Sequence, residues 1–99
     1  MKIHIEAVQF KADTKLLDRI EAKLGKLERI FDRIIDTRVY LKLENSGQVK
    51  DKITEVQLNL PGTTLNASAT QKTFESGIDE VHDNLKRQLV KYKERLRQS

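Results

Sequence analysis

Apolar and polar residues alternate through residues 2–8, with Ile3, Ile5 and Ala7 on one side and Lys2, His4 and Glu6 on the other. A period of two marks a strand with one buried face, so the chain opens on a strand. From residue 13 the spacing changes. Leu16, Leu17, Ile20, Leu24, Leu27, Ile30 and Phe31 recur every three or four positions, as along one side of a helix. Asp13 stands just ahead of them and can act as an N-cap, which predicts a helix over 13–31. Gly25 lies within it at a cost of about 1 kcal/mol against alanine, which the apolar stripe outweighs.

Val39, Leu41 and Leu43 alternate with Arg38, Tyr40 and Lys42, and the run stops at Asn45-Ser46-Gly47, a turn signal. Residues 53–60 alternate again through Val56, Leu58 and Leu60, and Pro61-Gly62 then turns the chain into Leu65, Ala67 and Ala69. Thr73 can cap a last helix whose stripe is Phe74, Ile78, Val81, Leu85, Leu89, Tyr92 and Leu96, reaching the mid-nineties. Neither helix can bury its stripe except against a sheet face. The predicted fold is therefore α+β: a two-layer sandwich in the order β-α-β-β-β-α, with a four-stranded sheet and two helices on one face. With 99 residues and no linker or low-complexity tract, the chain reads as a single domain, 1–99.

Composition narrows the function classes. Hydrophobic residues make up 37% and charged residues 34%, which implies a thin core and a highly charged surface. The absence of cysteine excludes disulfides and thiolate metal sites and suits a reducing, cytoplasmic setting. No apolar run approaches the eighteen residues of a membrane span, so no membrane partner is expected. Nineteen Lys and Arg against fifteen Asp and Glu give a net charge of +4, compatible with a polyanionic partner.

The placement of the charges says more than their sum. Lys15, Arg19, Lys23, Lys26, Arg29 and Arg33 fall along one flank of the first helix, while Asp18, Glu21, Glu28 and Asp32 fall on the other flank and outer surface. Segregation of this kind makes a ridge that can follow phosphates; the alternative is a solvated surface whose charges carry no message. In the second helix Glu75, Asp79, Glu80 and Asp83 come early, and Lys86, Arg87, Lys91, Lys93, Arg95 and Arg97 come late. Compensation of the helix dipole accounts for part of that order, but six bases exceed what it requires.

Catalytic patterns are missing from the sequence. His4 and His82 read as solvent-facing or structural, with no Cys or third His to complete a common zinc set, so no metal or cofactor is expected. No phosphate loop, nucleophile elbow or H-E-x-x-H pattern occurs, which argues against an enzyme or a small-molecule substrate. The aromatics Phe31, Phe74 and Tyr92 sit on apolar stripes, leaving few rings to stack on unpaired bases and favouring the backbone and shape of folded RNA.

Lys23-Leu24-Gly25-Lys26-Leu27-Glu28 followed by Phe31-Asp32-Arg33, the strand Asn66-Ala67-Ser68-Ala69, and Ile78-Asp79 leading to Arg87-Gln88-Leu89 and Lys91 together resemble the bacterial ribosome hibernation promoting factors. These are also known as ribosome-associated inhibitors or sigma-factor modulation proteins. The resemblance spans essentially the whole chain. It implies a domain shaped like double-stranded RNA binding domains that lodges on the small ribosomal subunit near the decoding centre. There it would contact ribosomal RNA and overlap the paths of messenger and transfer RNA, silencing translation in stationary phase. Residue by residue it carries RNA contact to Lys23, Lys26, Arg29, Arg87 and Lys91; the charge pattern adds Arg33, Lys86 and Lys93. Two departures stand out: Asn84 where relatives often have a base, for which Lys86 can compensate, and Glu75-Ser76-Gly77 where they have Tyr-Ala-Ala. The chain resembles the short form of the family, which is associated with paired, inactive ribosomes. A generic double-stranded RNA binding module, and a protein-interaction module modulating a transcription factor, are the other readings.

Overall fold

The computed structural model describes residues 1–46 and 49–98. Strand β1 (Lys2–Ala7) leads into helix α1 (Thr14–Gly25), which a 3-10 turn (Lys26–Arg29) extends. Strands β2 (Asp36–Ser46), β3 (Val49–Leu60) and β4 (Thr63–Gln71) follow, and helix α2 (Phe74–Gln98) closes the chain. The sheet order is β1-β2-β3-β4. β1 runs parallel to β2, which the α1 crossover permits, and the other neighbours are antiparallel.

Register aligns the inward side chains. Ile5 lies across from Val39, Val39 from Val56 and Val56 from Ala67, so the alternation read in each strand feeds one sheet face. That face joins Leu16, Ile20, Leu24 and Leu27 on the α1 side and Phe74, Ile78, Val81, Leu85 and Leu89 of α2 in one core. α2 lies across β3 and β4, and α1 packs beside it. Both helix starts are capped as their sequences suggest. Leu16 N–H donates to Asp13 Oδ1 at 2.8 Å, and Ser76 N–H donates to Thr73 Oγ1 at 3.1 Å. Pro61 and Gly62 form a two-residue turn between Leu60 and Thr63, with Gly62 at φ +79, the value a type II turn needs in its third position.

Three expectations need correction. The first helix does not run to Phe31. It tightens at Gly25 into a 3-10 turn, where Ile30 and Phe31 N–H both donate to Leu27 O. In that geometry residues three apart eclipse, so Leu24 and Leu27 both stay buried. Ile30 and Phe31 kept the helical spacing because they pack beside or within the core from a turn. Second, β2 and β3 extend beyond the alternating runs 38–43 and 53–60. At Leu43, which is 41% exposed, β2 has left the cover of the helices, so burial no longer marks where the strand ends. Third, Asn45 and Ser46 still pair with β3, and Gly47 of the expected turn lies outside the described residues.

α2 sits unusually close to β3 at Gly77. A Cβ there would lie 2.6 Å from Thr54 Oγ1 and 3.3 Å from Thr54 Cβ, and Thr54 is fully buried with a hydroxyl that makes no hydrogen bond. Glycine thus gives up about 1 kcal/mol of helix propensity in exchange for contact. Overpacking a filled core costs about 1–3 kcal/mol, so Gly77→Ala is expected to destabilise by about 1 kcal/mol net. Urea denaturation of the single and double variants tests the cause. Gly77→Ala should cost less in a Thr54→Ala background, and an equal cost in both would show that the contact is not responsible.

Candidate nucleic-acid interface

Helical geometry decides which way each cation faces. With Leu16, Ile20 and Leu24 turned to the core, Arg19, Lys23 and Lys26 fall on the flank of α1 and its 3-10 extension that faces α2. Glu28 falls on the opposite flank, where its carboxylate meets the Met1 amine at 2.7 Å. The predicted segregation of charge is therefore present, and it is oriented: the basic side of α1 lines the junction of the two helices.

α2 answers with one carboxylate. Asp79 approaches Arg19 at 3.4 Å through Oδ2 and Lys23 at 3.6 Å through Oδ1. Oδ1 is covered by its neighbours yet accepts no hydrogen bond, since Lys23 Nζ stands just too far away. Lys23 is consequently only 30% exposed, less than the sequence pattern implied, whereas Lys26 is exposed. Arg19, Ala22, Lys23, Lys26 and Asp79 border a shallow groove of about 280 Å³. Lys86 and Lys93 follow Asp79 at seven-residue steps, two turns each, so they continue the same side of α2.

At the far end of the helical layer a second depression, about 470 Å³, opens between the turn after α1 and the end of α2. Arg29, Arg33, Lys93 and Arg97 line it, with Ile30, Phe31 and Leu96 as its apolar wall. Arg33 lies beyond the helix on which it was expected, its guanidinium 5.3 Å from the centroid of the Phe31 ring. Asp32, expected on the opposite flank, borders the same depression because the chain has already left the helix.

The structure thus brings Lys23, Lys26, Lys86, Arg29, Arg33 and Lys93 to one side of the helical layer and separates two candidates from them. Lys91 borders a third depression with Arg95, Tyr92 and Leu65 against β4, where Gln88 Nε2 also donates to Asn66 O at 2.9 Å. Arg87 is exposed and, by helical phase, faces away from the sheet. By charge alone, the sequence marks Asp79 and Arg97 as members of the acidic and basic halves of α2 and gives neither a place in the interface. Their roles come from contacts with residues about 60 positions away, which no local pattern reveals.

The aromatic rings are committed elsewhere. Phe10 stacks on Phe74 with centroids 5.4 Å apart, and Phe31 meets Tyr92 edge-on at the same distance. Tyr40 belongs to the outer sheet face, near Glu55, Gln57 and Ser68. His82 is buried on α2, 3.3 Å from Asp83. Among the described residues no three His, Asp or Glu side chains gather as a metal set, and no helix is long and apolar enough to cross a membrane.

Residues 3–97 match the family model described as Sigma 54 modulation protein / S30EA ribosomal protein. A ribosome hibernation promoting factor of Azotobacter vinelandii is 36% identical over 95 residues, covering 96% of this chain and 85% of that protein. The factor of the same name from Klebsiella oxytoca is 34% identical over 98 residues, covering 99% of each. In three dimensions, a ribosomal subunit interface protein from Coxiella burnetii gives a TM-score of 0.82 at 26% identity, covering 94% of this chain and 98% of that one. The N-terminal domain of Thermus thermophilus Protein Y gives 0.82 at 25% identity, covering 93% and 99%.

Asp79 restrains two cations of the groove through half-exposed pairs, which contribute little to stability once solvent screening is counted. Asp79→Asn is expected to change unfolding free energy by no more than about 0.5 kcal/mol while retarding the protein on immobilised heparin. Elution at unchanged or lower salt would show that Asp79 does not hold Arg19 and Lys23 back from a polyanion.

Proposed function

Because the chain belongs to the Sigma 54 modulation protein / S30EA ribosomal protein family, whose curated relatives are ribosome hibernation promoting factors, we propose that it is a ribosome-associated hibernation factor. It binds the small ribosomal subunit near the decoding centre through the basic side of its helical layer. In that position it blocks messenger and transfer RNA, and so silences translation in stationary phase within the cytoplasm. It works by occupying space, with no reaction catalysed.

The observation that carries this reading is the convergence of cations from two distant stretches of the chain, 23–33 and 86–93, on one side of the two helices. Lys23 and Lys26 come from α1 and its extension, Arg29 and Arg33 from the turn region, and Lys86 and Lys93 from α2. Such a surface suits an RNA that presents phosphates over a distance longer than one helix face. α2 alone, at 25 residues, is about 37 Å long. Phosphate contacts release counterions, so binding must weaken steeply with salt. Six such contacts correspond to about a thousandfold loss between 50 and 200 mM.

Sedimentation with ribosomes through a sucrose gradient at low and high salt, with a messenger-analogue competitor, tests the proposal. Salt-sensitive migration with the small subunit, relieved by the competitor, is the expected result. A folded protein absent from every ribosomal fraction would overturn it, and tight binding to free RNA duplexes instead would point to a generic double-stranded RNA binder. Lys26→Glu with Lys86→Glu should abolish co-sedimentation at unchanged thermal stability, since both side chains are exposed. Lys23→Glu serves less well, because it would set a like charge against Asp79.

A further inference from the structure

The cations on the helical side are not equally available. In the groove, Arg19 and Lys23 share Asp79, so an incoming phosphate must compete with a carboxylate already in place. In the far depression the balance differs. Arg29, Arg33, Lys93 and Arg97 line it, and none of them makes an ion pair with a described carboxylate. Of the two acids at its border, Glu28 is held by the Met1 amine, which leaves Asp32 alone against four cations.

Dipole compensation does not account for this cluster. Lys93 and Arg97 do lie near the end of α2, where cations are favoured. Arg29 and Arg33 belong to the 3-10 turn and the chain after it, and owe α2 nothing. Arg33 is also partly ordered in advance. Its guanidinium rests over Phe31, a ring that is 6% exposed and braced edge-on by Tyr92, so less side-chain freedom remains to be lost on binding. Three guanidinium forks and an ammonium around one opening match a phosphoryl group, whose oxygens accept paired N–H bonds. The apolar wall, chiefly Ile30 and the exposed Leu96, offers a surface for the sugar of the same nucleotide, where a bare inorganic ion gains nothing.

We infer that the depression formed by Arg29, Arg33, Lys93 and Arg97 is a phosphate-binding subsite that takes a backbone phosphodiester of RNA and forms the primary anchor of the interface, ahead of the Asp79-restrained groove. The assignment to RNA rests on the function proposed above; the affinity for phosphate does not.

Two experiments separate the claims. In the first, inorganic phosphate and then a short RNA oligonucleotide are titrated into ¹⁵N-labelled protein while the arginine Nε signals are followed. Arg33 and Arg97 should respond at lower phosphate than Arg19, which serves as the internal reference paired with Asp79, and the oligonucleotide should shift them at lower concentration still. Equal response, or Arg19 first, overturns the subsite whether or not the protein binds ribosomes. If inorganic phosphate binds there as well as the oligonucleotide does, the subsite is a free-phosphate site and the RNA assignment fails.

In the second, Arg33→Ala with Arg97→Ala is compared with wild type in small-subunit binding across a salt series. Both residues are exposed, and the fold should persist. The expected outcome is a loss of at least tenfold at physiological salt, with the salt slope reduced by about one for each contact removed. Arg33→Lys should fall between wild type and Arg33→Ala, because an ammonium keeps the charge but neither the fork nor the ring contact. Wild-type binding by the arginine double variant, with binding lost in Lys26→Glu/Lys86→Glu, would overturn the anchor and leave the ribosomal reading standing. Failure of wild type to bind ribosomes, with Arg33 and Arg97 still first to meet phosphate and the oligonucleotide, would remove that reading and keep the subsite.

Discussion

The rotation of α2 about its own axis sets where each of its cations lies relative to α1 and the sheet, and that rotation is fixed by close packing. Gly77 lets the helix backbone approach Thr54 of β3 to a distance no side chain would allow, and Ile78, Val81, Leu85 and Leu89 continue the seat along the helix. Once that stripe is committed, helical geometry leaves no freedom for the flanks. Asp79, Lys86 and Lys93 must turn toward the α1 side, and Gln88, Lys91 and Arg95 must turn toward β4. The two flanks cannot serve one continuous surface. The basic half of α2, interrupted in sequence by one acid, Glu94, is therefore divided by its own packing.

Charge is then distributed unevenly over the molecule. On the outer sheet face, bases and acids stand beside one another, as in the pair Lys42 and Glu55 across β2 and β3. On the helical side, α1 sends its acids away from α2 and keeps its bases toward it, with Asp79 the one carboxylate among the described residues that pairs with these bases across the junction. A net charge of +4 understates the field this creates, because the excess is gathered on one layer and at one end of it. Opposite charges on the far face add little at that distance, since salt screens exposed charges within about 10 Å.

Much of the fold is legible because a thin core forces strict patterning. Ile3, Ile5, Val39, Leu41, Val56 and Leu58 alternate, and the stripe from Phe74 to Leu89 repeats at helical spacing, because each must reach the same buried face. Sequence and structure differ where burial and element type part company. Ile30 and Phe31 stay in or against the core while the backbone leaves the helix, so their spacing extended a helix that ends earlier. Leu43 and Glu44 are exposed although the strand runs on to Ser46, so burial no longer marks where it ends. For the candidate site, the sorting of Lys23 and Lys26 from Glu28 was readable, because it is a property of one helix. The meeting of Asp79 with Arg19, and of Arg33 with Lys93 and Arg97, joins segments that only the tertiary fold brings together.

The commitment of the aromatic rings limits what the helical side can recognise. Phe10 and Phe74 stack on each other, Phe31 and Tyr92 brace one another, and Tyr40 lies on the opposite sheet face. A base turned out of an RNA helix would find no free ring among these on the basic side, and stacking is how loose strands are usually held. For the proposed RNA partner, what remains is contact with phosphates and sugars, which carries position but little sequence. Discrimination must then come from geometry. A depression at one end with four available cations, and a groove beside Asp79 with partly engaged ones, define two points on a rigid scaffold. An RNA that presents phosphates at both points satisfies them together, gaining the second contact without a second loss of translational freedom. A lone duplex that fits only one point gains no such advantage, so under the proposed function a folded RNA with two suitably placed backbone segments would be favoured over duplex of any sequence.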